Sequence, residues 1–126
     1  MQEEITLGPL EKEILEIVWK KDQLAVRQVL LDLNQTRSNS DKLAYTTVMT
    51  IMKRLVDKSV LVRKKSGRSF LYTAKKAKPQ FVKLVVKQTI QSLVDRFGEP
   101  AIAAFVDEVD HLSPAERHEL VKKLRS

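Results

Sequence analysis

The sequence predicts a mainly α-helical protein with one small β-hairpin, and three observations carry that expectation. Ala44, Val48, Ile51, Met52 and Leu55 recur at helical spacing and share one face of a helix set at 44–59. VLVRKK and RSFLYT then flank Ser66-Gly67, read as a two-residue hairpin turn in which glycine supplies the positive φ. Two further amphipathic helices precede this pair. Three helices followed by a hairpin is the order of a winged helix-turn-helix domain, placed at residues 1–78. Residues 79–126 read as a helical dimerisation arm.

Taken in order, Thr6-Leu-Gly-Pro9 is a helix start with Pro9 in the first turn. Leu10, Ile14, Ile17, Val18 and Lys21 follow one face. Glu11, Glu13 and Glu16 lie early and Lys20 and Lys21 late, as the helix dipole favours. Trp19 reads as core packing rather than a ligand platform. After a break at Asp22-Gln23, Val26, Val29, Leu30 and Leu33 mark a second helix, with Leu24-Ala25 available as a short third strand beside the hairpin. Asn34–Ser40 is a polar loop with strong turn character. On the third helix the outward face carries Thr46, Thr50, Lys53 and Arg54 with Thr47 at its rim, and no large apolar residue is expected there.

The arm begins after the charged junction AKKAK at 74–78. Pro79 opens a long helix bearing Phe81, Val82, Val85, Val86, Ile90, Leu93, Val94 and Phe97, which stops at Gly98. Pro100 starts another with Ile102, Phe105, Val106 and Val109. Ser113-Pro114-Ala115-Glu116 is a capping box that opens the last helix, with Leu120, Val121 and Leu124. A unit this small rarely buries a sufficient core alone. It either folds back on its own winged domain or pairs with a second copy by a two-fold interface. Pairing leaves the third helix and the hairpin free, so the expected dimer residues are Val85, Ile90, Leu93, Val94, Phe97, Ile102, Phe105, Val109, Leu120 and Leu124.

Charge placement points to the partner. The net charge is +7, and residues 1–78 hold 16 Lys/Arg against 9 Asp/Glu, while residues 79–126 hold seven of each. Between Lys53 and Lys78 there are ten cations and one acid, Asp57. A basic cluster beside a hydroxyl-rich helix face is the footprint of a polyanion binder. The sequence therefore implies double-stranded DNA as partner, with Lys53, Lys65 and Arg68 among the contacts. Arg54 pairs with a guanine edge or holds a phosphate, and Tyr45 contacts a phosphate or packs against the loop after the second helix; both alternatives stand open. Arg63 reads as a solvated strand residue.

Other classes find little support. No cysteine is present, which removes disulfides, thiol catalysis and thiolate metal sites. His111 and His118 lie seven apart with Asp107, Glu108 and Asp110 nearby, but the capping box at Ser113 separates them, so no metal site is expected. No catalytic constellation is recognisable, and no cofactor is implied. The apolar runs are too short for a transmembrane helix and MQEEITL lacks a signal-peptide plan, so a cytoplasmic location without membrane contact is expected.

LGPLEKEILEIVWKKDQLAVRQVLLDL together with LAYTTVMTIMKRLVDKSVLVRKKSGRSFLYT resembles the penicillinase-repressor family of bacterial transcription regulators, the BlaI/MecI type. The resemblance covers about residues 7–74 and is weaker in the arm, where it rests on the helical layout, Arg96-Phe97 and Leu112-Ser113. It implies a homodimeric winged-helix repressor that binds a dyad operator, often with TACA and TGTA half-sites. Carried over by position, Thr46, Thr47, Thr50 and Arg54 make base and phosphate contacts, and Lys65 and Arg68 bring the wing to the backbone. Two departures stand out. No Asn precedes a Phe in the arm, the nearest bond being Ala104-Phe105, which argues against induction by the proteolysis that inactivates sensor-linked members. The absence of cysteine excludes the thiolate copper sensing of other relatives. Two other readings remain, a winged-helix module that binds protein and a small-molecule-responsive repressor of another winged-helix type. The first predicts an exposed apolar patch on the third helix or hairpin, the second an apolar pocket between arm and winged domain.

Overall fold

The computed structural model describes the backbone of residues 5–125 and the side chains of all of these except residues 120, 121 and 123–125. The chain runs α1 (Pro9–Lys21), α2 (Val26–Asn34), α3 (Tyr45–Asp57), β1 (Leu61–Ser66), β2 (Ser69–Ala74), α4 (Lys78–Phe97), α5 (Glu99–Asp110) and α6 (Pro114–Arg125). It divides into two units, one of Thr6–Ala77 and one built on the helices from Lys78 onward. Among the described residues no helix is long and apolar enough to cross a membrane.

In the first unit three helices enclose one core against the hairpin. Ile14, Leu15 and Val18 of α1, Val29 and Leu33 of α2, and Val48, Met52 and Leu55 of α3 are almost wholly removed from water, with Leu61 and Tyr72 from the strands. The α1 stripe is rotated from the sequence expectation. Leu15 and Glu11 are buried, Leu10 and Ile17 only half-buried, and Lys21 exposed. The α1 face meets α2, α3 and β2 together, so it is wider than a single periodic stripe. On α3, Ala44 is the exposed N-cap rather than a core residue and Ile51 is half-buried, so the helix is shorter than 44–59 at both ends.

The hairpin is antiparallel in the register Leu61↔Ala74 through Ser66↔Ser69. Ser66 therefore belongs to the strand, and the two turn residues are Gly67 and Arg68, one later than the sequence suggested. Gly67 has φ +64°, a conformation glycine adopts without a Cβ penalty. The suggested third strand is a single bridge. Leu24 and Tyr72 exchange both backbone hydrogen bonds, at 3.0 and 2.8 Å, while Ala25 is already the N-cap of α2. Trp19 is half-buried, and its indole N–H donates to the Lys76 carbonyl at 2.9 Å, fixing the chain just after β2 to α1.

α3 stops by backbone geometry rather than by glycine. The Ser59 N–H donates to the Val56 carbonyl and the Val60 N–H to Leu55, both at 2.9 Å, with Ser59 at φ +63°. This is a Schellman stop with buried Val60 packed near Leu55, and it sends the chain straight into β1. A non-glycine residue in this conformation costs about 1–2 kcal/mol, so the surrounding core holds it there.

In the second unit α4 packs on α5 and touches α6. Gly98 at φ +74° ends α4, with its N–H on the Val94 carbonyl at 2.7 Å. The capping box opening α6 is reciprocal: Glu116 N–H to Ser113 Oγ at 3.1 Å, and Ser113 N–H to Glu116 Oε1 at 3.2 Å. Phe81 is the one buried hydrophobic residue among the described side chains of this unit. Val85, Ile90, Leu93, Val94 and Val109 are half-buried, and Phe97, Ile102, Phe105, Val86 and Val106 are exposed. Leu120 and Leu124 lie outside the described residues.

One buried charge ties α1 to the end of α3. Glu11 is only 8% exposed. Its carboxylate accepts two hydrogen bonds from Lys58 Nζ, at 2.8 and 3.0 Å, and one from the Gly8 N–H at 3.1 Å, while Lys58 Nζ also donates to the Thr6 carbonyl. Burial pushes the Glu11 carboxyl up. The Lys58 hydrogen bonds, the Gly8 N–H and the fields of Lys58 and Arg54 outweigh it, holding the group below the usual carboxylate value. Its stabilising share is thus complete above the unfolded carboxylate pKa of about 4.3 and is lost as pH falls through the lowered folded value. Glu11→Gln should cost about 1–3 kcal/mol at neutral pH, and thermal melts of variant and parent should converge below that folded value.

Candidate nucleic-acid interface

The core face of α3 fixes what its other face presents. With Val48, Met52 and Leu55 buried, helical geometry turns Thr46, Thr50 and Lys53 outward and puts Thr47 and Arg54 on one flank. All five are exposed, as are Tyr45, Lys65 and Arg68. The structure therefore brings every sequence-predicted contact residue to the surface of one unit. Lys65 stands on β1 near the hairpin tip, and Arg68 sits in the turn itself.

The face is less uniformly polar than expected. Met49 is 41% exposed on the flank opposite Thr47, and Val62 on β1 is 45% exposed. Met49 was hidden in the sequence because it sits next to the apolar stripe, one residue after Val48. Tyr45, one turn before Met49 on the same flank, is also 41% exposed, so these two make a small apolar edge beside the threonines, while Val62 stands on the hairpin.

Individual groups have defined chemistry. Thr50 Oγ1 donates to the Thr46 carbonyl one turn back at 2.8 Å. Its hydroxyl thus faces outward as an acceptor, suited to an exocyclic amine, and its methyl to a thymine methyl. Arg54 lies one turn before Lys58, and its field helps to hold the Glu11 carboxyl low. Arg63 is not merely solvated: its guanidinium stacks 4.2 Å from the Phe70 ring on the neighbouring strand. Lys58, counted by sequence in the basic cluster, is committed to Glu11.

Two clamps position this face. Asn34, the last residue of α2, bridges to Leu43 twice, Nδ2 donating to the Leu43 carbonyl at 3.0 Å and Oδ1 accepting from its N–H at 2.8 Å. The side chain thereby closes the polar loop and fixes where α3 begins. Arg37 then pins the loop to α1 through a bidentate pair with Glu13 at 2.9 and 3.1 Å. Neither clamp was signalled by periodicity, since each joins residues far apart in sequence.

The remaining candidate, the histidine region, gathers no metal set. Among the described residues no group of three His, Asp or Glu is placed to hold an ion. His111 pairs with Asp107 one turn away at 3.6 Å, on the surface of α5.

Comparison with known proteins gives the following. A profile described as penicillinase repressor matches residues 7–126. The penicillinase repressor of Bacillus licheniformis is 30% identical over 121 residues, covering 94% of this chain and 88% of that protein. The transcriptional regulator BlaI of Mycobacterium tuberculosis is 30% identical over 105 residues, covering 82% and 73%. A solution structure of the DNA-binding domain of the repressor BlaI superposes with a TM-score of 0.50 at 25% identity, covering 60% of this chain and 88% of that one.

The Asn34 clamp makes a specific demand. Asn34→Ala leaves the Leu43 N–H without its acceptor and should cost about 1–3 kcal/mol. Amide exchange should quicken at Leu43 and in the first turn of α3, with α1 unaffected.

Proposed function

The chain belongs to the penicillinase repressor family, and from that premise we propose that it acts in the cytoplasm as a homodimer that reads a two-fold operator. It is a DNA-binding transcriptional repressor rather than an enzyme. In the proposed complex α3 enters the major groove and Lys65 and Arg68 of the wing meet the sugar–phosphate backbone. The observation that carries this reading is the division of α3 into a sealed core face and an exposed face of threonines and cations. Thr46, Thr47 and Thr50 supply base-edge contacts, Lys53 and Arg54 supply charge, and TACA and TGTA half-sites are the expected sequence class.

The boundary near residue 78 separates reading from pairing in this proposal. The arm supports it by what it leaves uncovered: Phe97 is 64% exposed, and Phe105, Val106 and Val86 are also open on α4 and α5. A second copy covering these residues adds to the apolar surface that the arm buries. Each copy then offers one α3 to one half of a dyad.

Selection from random duplexes followed by a salt titration tests the reading. The expected result is a two-fold symmetric consensus bound with a steep dependence on salt. Thr46→Ala and Thr50→Ala should each cost about 1–3 kcal/mol at one operator position and relax preference there. Phe105→Ser with Val106→Ser should shift the protein to monomer in sedimentation. An asymmetric single site, or a dimer that survives those changes, contradicts the proposal.

A further inference from the structure

We propose that Arg27 and Tyr45 form a composite backbone clamp, in which Arg27 of α2 grips a DNA phosphate and Tyr45 of α3 holds it in place. This deepens the reading above and rests on it. Arg27 is the second residue of α2, and Tyr45 the first of α3. The Arg27 guanidinium carbon lies 5.7 Å from the centre of the Tyr45 ring, and both residues are exposed. Tyr45 immediately precedes Thr46, so the pair stands at the edge of the reading face.

The chemistry favours a phosphate. A guanidinium over an aromatic face keeps its N–H donors, which lie in its own plane, available at the rim. Those donors match the paired oxygens of a phosphate. The contact also favours one placement of the arginine and so lowers part of the ordering cost of binding. Among the described residues no acid is paired with Arg27, in contrast to Arg37 and Lys58, which are held by Glu13 and Glu11. The two helices are fixed to each other by the Asn34–Leu43 bridge, so the clamp has a defined position relative to Thr46. Tyr45 is then a positioning residue, a third role beside the two that the sequence left open: its ring lies beside the Arg27 guanidinium and acts on the phosphate through it.

Anisotropy titrations of the full-length protein with its selected operator and with an unrelated duplex, across a salt series, test this. Arg27→Ala should weaken both duplexes about tenfold and flatten the log–log salt dependence by about 0.9. Arg27→Lys should keep the slope and lose part of the affinity, since an ammonium keeps the charge but not the paired geometry. Tyr45→Ala should weaken both duplexes and add little when combined with Arg27→Ala, and Tyr45→Phe, which keeps the ring, should restore what Tyr45→Ala loses. A parent protein that binds with a steep salt slope while Arg27→Ala leaves affinity and slope unchanged overturns the clamp alone. So does a loss confined to the operator, which makes Arg27 a base reader, or full additivity of the two alanine changes. A parent protein that binds neither duplex overturns the underlying reading together with the clamp.

Discussion

The molecule depends on how α3 is held. A helix that presents side chains to a partner must be anchored by one face and offered by the other, and on α3 Val48, Met52 and Leu55 do the anchoring, all wholly buried. Removing three large side chains from water stabilises this seam by several kcal/mol, since each is worth about 1.5–3 kcal/mol. Polar contacts set its rotation and ends. Asn34 fixes the start, the Schellman stop at Ser59 fixes the finish, and the Glu11–Lys58 pair joins its last turn to the first turn of α1. The proposed function follows from what remains outside: hydroxyls and cations whose positions the core has already determined.

The wing is a consequence of the same anchoring. Because α3 ends in a tight stop with Val60 buried, β1 leaves it in a fixed direction, and the Leu24–Tyr72 bridge secures β2 beside the start of α2. The base of the hairpin is core, through Leu61 and Tyr72, and its tip is cationic, through Lys64, Lys65 and Arg68. Arg63 stacked on Phe70 stiffens the middle. A hairpin anchored at one end and charged at the other suits backbone contact, which positions a protein on DNA without reading sequence.

Much of this was legible in the sequence because it rests on local signals. The apolar period of α3, Gly67 in the turn, Gly98 after α4 and the Ser113–Glu116 capping box each act over a few residues, and the structure shows all four. Misreadings came where tertiary contacts decide. The α1 stripe shifted because three partners surround it, and Ser66 joined the strand because pairing with Ser69 set the register. Met49 and Lys58 changed character for similar reasons, one exposed beside a core residue and the other drawn to Glu11. The Arg27–Tyr45 stack spans two helices and has no sequence period to reveal it.

The most direct test of the account is a residue-resolved map of the bound surface, by amide chemical shifts of the labelled protein titrated with its selected operator. The largest changes should fall on Tyr45–Arg54 and on Lys65–Arg68, with Val48, Met52 and Leu55 shifting only as neighbours. A map centred on α4–α6 or on the outer side of α1, with α3 and the wing undisturbed, contradicts the claim that the exposed face of α3 reads the duplex.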